Sequence, residues 1–224
     1  SEIKMELSKK YGKVAVVMGG KTTEREVSLM SGNAILKSLF KSGVDAFSFD
    51  PSLEPLANLV NYGCERAILI IHGKNGEDGK LQGAMEYLGI PYTGSGVMAS
   101  SIGMDKYRTK LIWQTLGVPV AKSQFVEKPH YNIAEFKLEV NLPVVVKPAD
   151  DGSTLGLKKV YQIEDLAAAI DYAFAASNKI LIEEMVIGPE FTLTIIDGIV
   201  FPIIKIEAPQ GEYDFENKYY SDET

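Results

Sequence analysis

HGKNGEDGKLQGAMEYLGIPYTGSG, residues 72–96, follows the apolar run Ala67–Ile71. The run reads as a buried strand. A strand that ends in His-Gly and opens into a polar loop with further glycines is not ordinary packing. Gly73, Gly76 and Gly79 permit backbone shapes other residues resist, and Lys-Asn-Gly and Asp-Gly are turn chemistry. Leu81, Met85 and Leu88 then predict a helix. A second glycine loop follows at Pro91–Gly96. Loops at the carboxyl ends of strands are where open α/β sheets bind ligands.

The same alternation runs outward in both directions. Val14–Met18 predicts a buried strand closed by Gly19-Gly20. Ser28–Ser42 predicts a helix, with Leu29, Leu36, Leu39 and Phe40 on one side and Gly43 as its stop. A strand over Asp45–Asp50, a short helix over Leu56–Tyr62 and a strand over Arg66–Ile71 come next. Strand and helix in alternation imply a parallel sheet, so the fold class is α/β for roughly the first hundred residues. The second half reads as α+β. Helices are expected at Asp105–Leu116 and Ile163–Ala176. Strands are expected at Leu142–Pro148, Leu157–Tyr161, Ile180–Met185, Glu190–Ile196 and Ile199–Ile206. Asp197-Gly198 between the last two is a hairpin signal.

Composition narrows the function classes. The 224 residues are 46% hydrophobic and 24% charged, with a net charge of −7. That is a soluble globular balance, and it argues against a general nucleic-acid binder. The apolar runs are too short to cross a membrane, and Ser1–Lys10 has no signal-peptide core. Cys64 is the single cysteine. No internal disulfide is available, which favours a reducing cytoplasmic setting.

Several stretches carry chemistry-bearing residues. Gly19–Glu26 joins the first strand to a helix. Glu24 and Glu26 there suit a helix N-terminus, or a carboxylate could anchor a substrate ammonium group. Lys147–Gly156, KPADDGSTLG, follows the strand Pro143–Val146. It lacks the Gly-Lys-Ser/Thr ending of a P-loop, yet its small residues can fold backbone N–H groups over phosphates. Lys147 either points to water or reaches a buried anion. Glu183–Val186 is a plain strand end, or an apolar pair against an adenine ring with a glutamate for ribose hydroxyls. Lys218–Asp222 is exposed surface or a lid. His72 is structural, or touches a negatively charged intermediate.

Taken together, GGKTTEREVSL (19–29), residues 72–96, MDKYRTK (104–110), KPADDGSTLG (147–156), GPEFT (188–192) and YDFENKYYSDET (213–224) resemble the D-alanine–D-alanine ligases of the ATP-grasp superfamily. The resemblance is nearly continuous from Val14 to Thr224. It implies an N-terminal α/β domain over 1–104, a central ATP-grasp lobe over 105–186 and an incomplete third lobe over 187–224. It implies peptidoglycan-precursor synthesis in which ATP phosphorylates one D-alanine and the amine of a second displaces phosphate. Glu24 would hold the first ammonium group and His72 would lie near its carboxylate. Lys106, Lys147 and Lys218 would neutralise phosphates. Glu183 and Glu190 would contact the nucleotide's sugar or base edge. Ser153 and Tyr219 would join Glu24 in a hydrogen-bonded catalytic set.

The resemblance also implies D-alanine and ATP as partners, two Mg²⁺ ions (with Mn²⁺ as a substitute), a homodimer through the first domain, and no nucleic-acid or membrane partner. The family's chain continues past this point, and its metal ligands are expected beyond Thr224. Were 224 residues the whole molecule, little ligation would be expected, as a binding module for nucleotide or amino acid; the favoured expectation is a fragment of a longer chain that has the ordinary activity. The strands over Glu190–Ile206 are expected to show an uncovered face. A D-alanine–D-lactate ligase is the other alternative, and Tyr219 counts against it.

Overall fold

A computed structural model describes residues 2–152 and 155–207. The chain forms two compact units. One runs to Val118 and takes in the short segment starting at Ala149. The other comprises Pro119–Pro148 and the chain after the 150s loop.

The first unit begins with helix α1 (Glu2–Tyr11), which the sequence reading does not anticipate. Strands β1 (Val14–Val17), β2 (Ala46–Phe49) and β3 (Arg66–Leu69) form a parallel sheet in the order β2-β1-β3. The register runs Val14↔Ala46 and Val14↔Arg66. All four residues of β1 are buried, as a central strand with two covered faces requires. Helix α2 (Arg25–Ser42) stops at Gly43, whose φ of 81° places it in the left-handed region, as expected. Its buried side is Val27, Ser28 and Gly32. Phe40, expected on the packed side, is exposed. Separately, a Cβ on Gly32 would lie 2.6 Å from the Met18 Cβ, so α2 comes close to the end of β1 at this glycine.

Helix α3 is only Asn58–Asn61, and α4 is Lys80–Tyr87. Leu81 and Met85 of α4 join Ala15, Val17, Phe49 and Leu59 in one core. Helices α5 (Val97–Met104) and α6 (Lys106–Thr115) follow. Asp105 caps α6 by accepting a hydrogen bond from the Arg108 N–H at 2.8 Å.

In the second unit β4 (Ser123–Glu127), β5 (Val144–Pro148), β6 (Lys158–Val160) and β7 (Lys179–Glu184) form an antiparallel sheet ordered β4-β7-β5-β6. Helix α7 (Leu166–Ala176) is preceded by a short 3₁₀ turn. Val144, Val146, Ile180 and Ile182 share one core with Ile170 and Ala173 of α7. By the two-residue period of strands, Val145, Lys147, Leu181 and Glu183 lie on the opposite face.

Strands β8 (Glu190–Thr192), β9 (Ile195–Ile196), β10 (Ile199–Val200) and β11 (Ile204–Ile206) make two antiparallel pairs, β9 with β10 and β8 with β11. The hairpin at Asp197-Gly198 forms as expected, with φ of 48° and 76°. The long strands read from the sequence are broken into short ones. Their large apolar side chains, Phe191, Ile195, Ile199 and Ile204 among them, are exposed. Among the described residues no helix is long and apolar enough to cross a membrane.

Candidate functional site

The carboxyl ends of the three parallel strands converge. β1 runs into Gly19-Gly20 (φ 88° and 77°), β2 into Asp50, and β3 through Ile71 to His72 and Gly73 (φ 71°). Ser28, fully buried on α2, ties two of these ends together. Its Oγ accepts the Gly19 N–H at 2.9 Å and donates to the Ile70 carbonyl. The Thr22 hydroxyl donates to the His72 carbonyl at 3.2 Å.

Asp50 holds the glycine turn from the other side. It accepts the Gly20 N–H at 3.1 Å, and the Ser52 N–H and hydroxyl at 2.9 and 2.7 Å. Arg25 pairs with it at 2.7 Å and donates to the Gly20 carbonyl at 2.7 Å. Burial alone would raise the Asp50 carboxyl. The hydrogen bonds from Ser52, Gly20 and Arg25 outweigh it and hold the pKa below the usual carboxylate range. A small buried network therefore fixes the turn that presents Glu24.

Glu24 is the N-cap residue of α2, only 5% exposed, and makes no side-chain capping hydrogen bond. Both glutamates lie at the N-terminal end of α2, Glu24 as its N-cap and Glu26 in the first turn. Glu24 leans toward the His72 loop. A Cβ on Gly73 would lie 2.7 Å from its Oε2, so the close approach of Glu24 requires glycine there.

His72, Glu77, Gln82, Lys106 and Gly152 line one cavity of about 630 Å³ within the first unit. That volume suits a small ligand. Lys106, at the start of α6, donates from Nζ to the Asp151 carbonyl, and its backbone N–H donates to the Ala149 carbonyl at 2.8 Å. Gln82 is buried on α4 and donates from Nε2 to the Gly76 carbonyl at 2.8 Å. Its Oε1 is buried without a hydrogen-bond partner among the described residues.

The second unit has its own polar pair. Lys147 on β5 and Glu183 on β7 meet at 2.8 Å, with side-chain exposures of 21% and 18%. Lys147 lies opposite Leu181 in the register, so Glu183 is its diagonal neighbour on the same face. Lys147 thus pairs with a carboxylate of its own sheet and is only partly exposed to water. Glu190 starts β8 and is exposed. Ser153, Lys218 and Tyr219 lie outside the described residues. Among the described residues no three His, Cys, Asp or Glu side chains gather as a metal site.

Sequence reasoning missed Asp50, Arg25, Ser28, Glu77 and Gln82. Two of them carried a signal: Gln82 sits beside Leu81 on the expected buried stripe of α4, and Glu77 lies between glycines just after His72.

A parallel α/β unit with a cavity at its strand ends, followed by an antiparallel sheet, is the arrangement of the ATP-grasp ligases whose solved structures this chain resembles. Residues 112–224 match the family described as "D-ala D-ala ligase C-terminus", and residues 56–95 match "D-ala D-ala ligase N-terminus". A D-alanine–D-alanine ligase of Laribacter hongkongensis is 46% identical over 218 residues, 97% of this chain and 70% of that protein. Two crystal structures of the Bacillus anthracis D-alanine–D-alanine ligase superpose. One has a TM-score of 0.79 at 34% identity. The other, complexed with ATP, has 0.77 at 33%. Each covers 92% of this chain and 68% of the solved one. The chain belongs to the D-alanine–D-alanine ligase family.

Proposed function

We propose that the protein joins two D-alanines in an ATP-dependent reaction through an acyl phosphate, supplying a peptidoglycan precursor. The observation that carries this reading is the cavity in which His72 and Lys106 stand together, beside a buried Glu24. In the reading, Glu24 takes the ammonium group of the first D-alanine and His72 faces its carboxylate. The carboxylate attacks the terminal phosphorus of ATP. The amine of the second D-alanine then attacks the acyl carbon and phosphate leaves. Lys106 and Lys147 supply positive charge where phosphate oxygens carry negative charge, which is most of what phosphoryl transfer needs. Glu183 and Glu190 contact the nucleotide. Ser153, Tyr219 and Lys218 belong to the same proposal as the set that closes over the site.

The lobe boundaries 1–104, 105–186 and 187–224, a homodimer through the first lobe, and a cytoplasmic site of action are also part of it. Magnesium fits the chemistry of a triphosphate. The described residues do not gather ligands for it, and no step assigned to this chain's residues runs through a metal.

The test is phosphate release by the full-length protein given Mg-ATP, with and without D-alanine. D-alanine-dependent release with a dipeptide product is expected. Absence of any D-alanine dependence would leave only a binding module. A mixture of D-alanine and D-lactate distinguishes the ester-forming alternative, since a dominant ester product would overturn the reading of Tyr219.

A further inference from the structure

Glu77 lines the cavity and has no role in the proposal above, on which the following inference rests. Its backbone N–H donates to the Gly73 carbonyl at 2.9 Å, and its side-chain Oε2 accepts the Gly73 N–H at 3.0 Å. The loop is therefore closed twice between the same two residues. The other carboxylate oxygen, Oε1, stands 3.8 Å from His72 Nδ1. Two further contacts fix where Glu77 can be. Gly76 packs so tightly that a Cβ would lie 2.1 Å from the Ile71 carbonyl oxygen. Gln82 holds the Gly76 carbonyl through its buried amide, and only the NH₂ end of that amide can face a carbonyl.

Energetics separate two uses of such a pair. At 3.8 Å, with side-chain exposures of 28% for His72 and 48% for Glu77, the attraction contributes little to folding. A carboxylate facing one ring nitrogen does, however, favour a proton on that nitrogen and so biases the tautomer. Among the described residues, Glu24 also leans on Gly73 and Lys106 lines the same cavity. We propose that Glu77 is a positioning residue for His72: its negative charge, 3.8 Å from Nδ1, biases the proton toward that nitrogen and leaves Nε2 to face the substrate carboxylate. Glu77 acts through His72 and does not touch the reacting atoms.

Two measurements test this. The first is the ¹⁵N spectrum of the His72 ring in wild type and Glu77→Gln. The Nδ1–H tautomer should dominate in the wild type when neutral, and the variant should shift toward a mixture. Unchanged ring shifts would overturn the proposal whatever the activity does. The second is a double-mutant cycle of Glu77→Gln and His72→Gln in the full-length protein. Glu77→Gln alone should raise KM for the first D-alanine by about tenfold with an unchanged melting temperature. The same change should have no further effect in the His72→Gln background. An equal effect in both backgrounds would mean Glu77 acts independently of His72, and the proposal would fall. If His72→Gln leaves KM and kcat untouched while the ring shifts respond to Glu77, the substrate-facing role of His72 fails and the positioning by Glu77 stands.

Discussion

Replacing Asp50 should loosen the turn that presents Glu24, and the loss should depend on pH. Asp50→Ala removes four acceptor contacts at once: those from the Gly20 N–H, the Ser52 N–H and hydroxyl, and Arg25. Ser52 and Arg25 can recover water, because Ser52 is only partly buried and the Arg25 side chain is 32% exposed. The Gly20 N–H, in a buried residue, is harder to satisfy. Hydrogen bonds to charged groups contribute about 1.5–3 kcal/mol each and do not add fully, so a net loss of about 2–4 kcal/mol is expected. For a chain of this size that lowers the melting temperature by roughly 6–12 °C. Asp50→Asn keeps the shape and loses the charge, for about half that cost.

The carboxyl of Asp50 has a lower pKa folded than unfolded. Its contribution is therefore complete above the unfolded value of about 4 and fades as pH falls through the folded one. Urea unfolding of wild type and Asp50→Asn at pH 7 and at pH values below about 4 should show the gap narrowing with acid. A gap that is constant with pH, or an Asp50→Ala variant within about 0.5 kcal/mol of wild type, would refute the account of this network.

Gly76→Ala should disturb the His72 loop. The new Cβ meets the Ile71 backbone at 2.1 and 2.6 Å, which cannot be relieved by a rotamer change. A cost of about 1–3 kcal/mol and a sharp fall in D-alanine-dependent turnover are expected, and a stable, active variant would contradict the packing described. Lys147→Ala should reduce ATP-dependent turnover by about a hundredfold or more while the melting temperature falls only a few degrees. Equal losses of stability and activity, from calorimetry and phosphate release, would mark the lysine as structural.

Much of the architecture was legible because its signals are local. The apolar run of β1, the glycine that stops α2, and Asp197-Gly198 between two β-rich runs each need only near neighbours to be read. The missed elements lack such signals. Helix α5, VMASSIGM, has no polar face to set a period. Strand β4, SQFVE, becomes a strand because Ser123–Glu127 pairs with Glu183–Lys179, far along the chain. The long strands expected over Glu190–Ile206 failed for a related reason: apolar β-formers mark a tendency to extend, and pairing decides where a strand breaks.

The site divides in the same way. The sequence by itself determined which residue types are present, and through GGKTTEREVSL, the His72–Gly96 stretch and KPADDGSTLG it determined the family. It also placed glycines where the backbone turns. Only the tertiary structure decided that Lys147 meets Glu183, because that depends on the register of β5 against β7. Only it brought Asp50 to Gly20, across parallel strands whose crossover separates them by 30 positions. Hydrogen bonds and ion pairs act over a few ångströms. Chain separation says nothing about such distances until the sheets have formed.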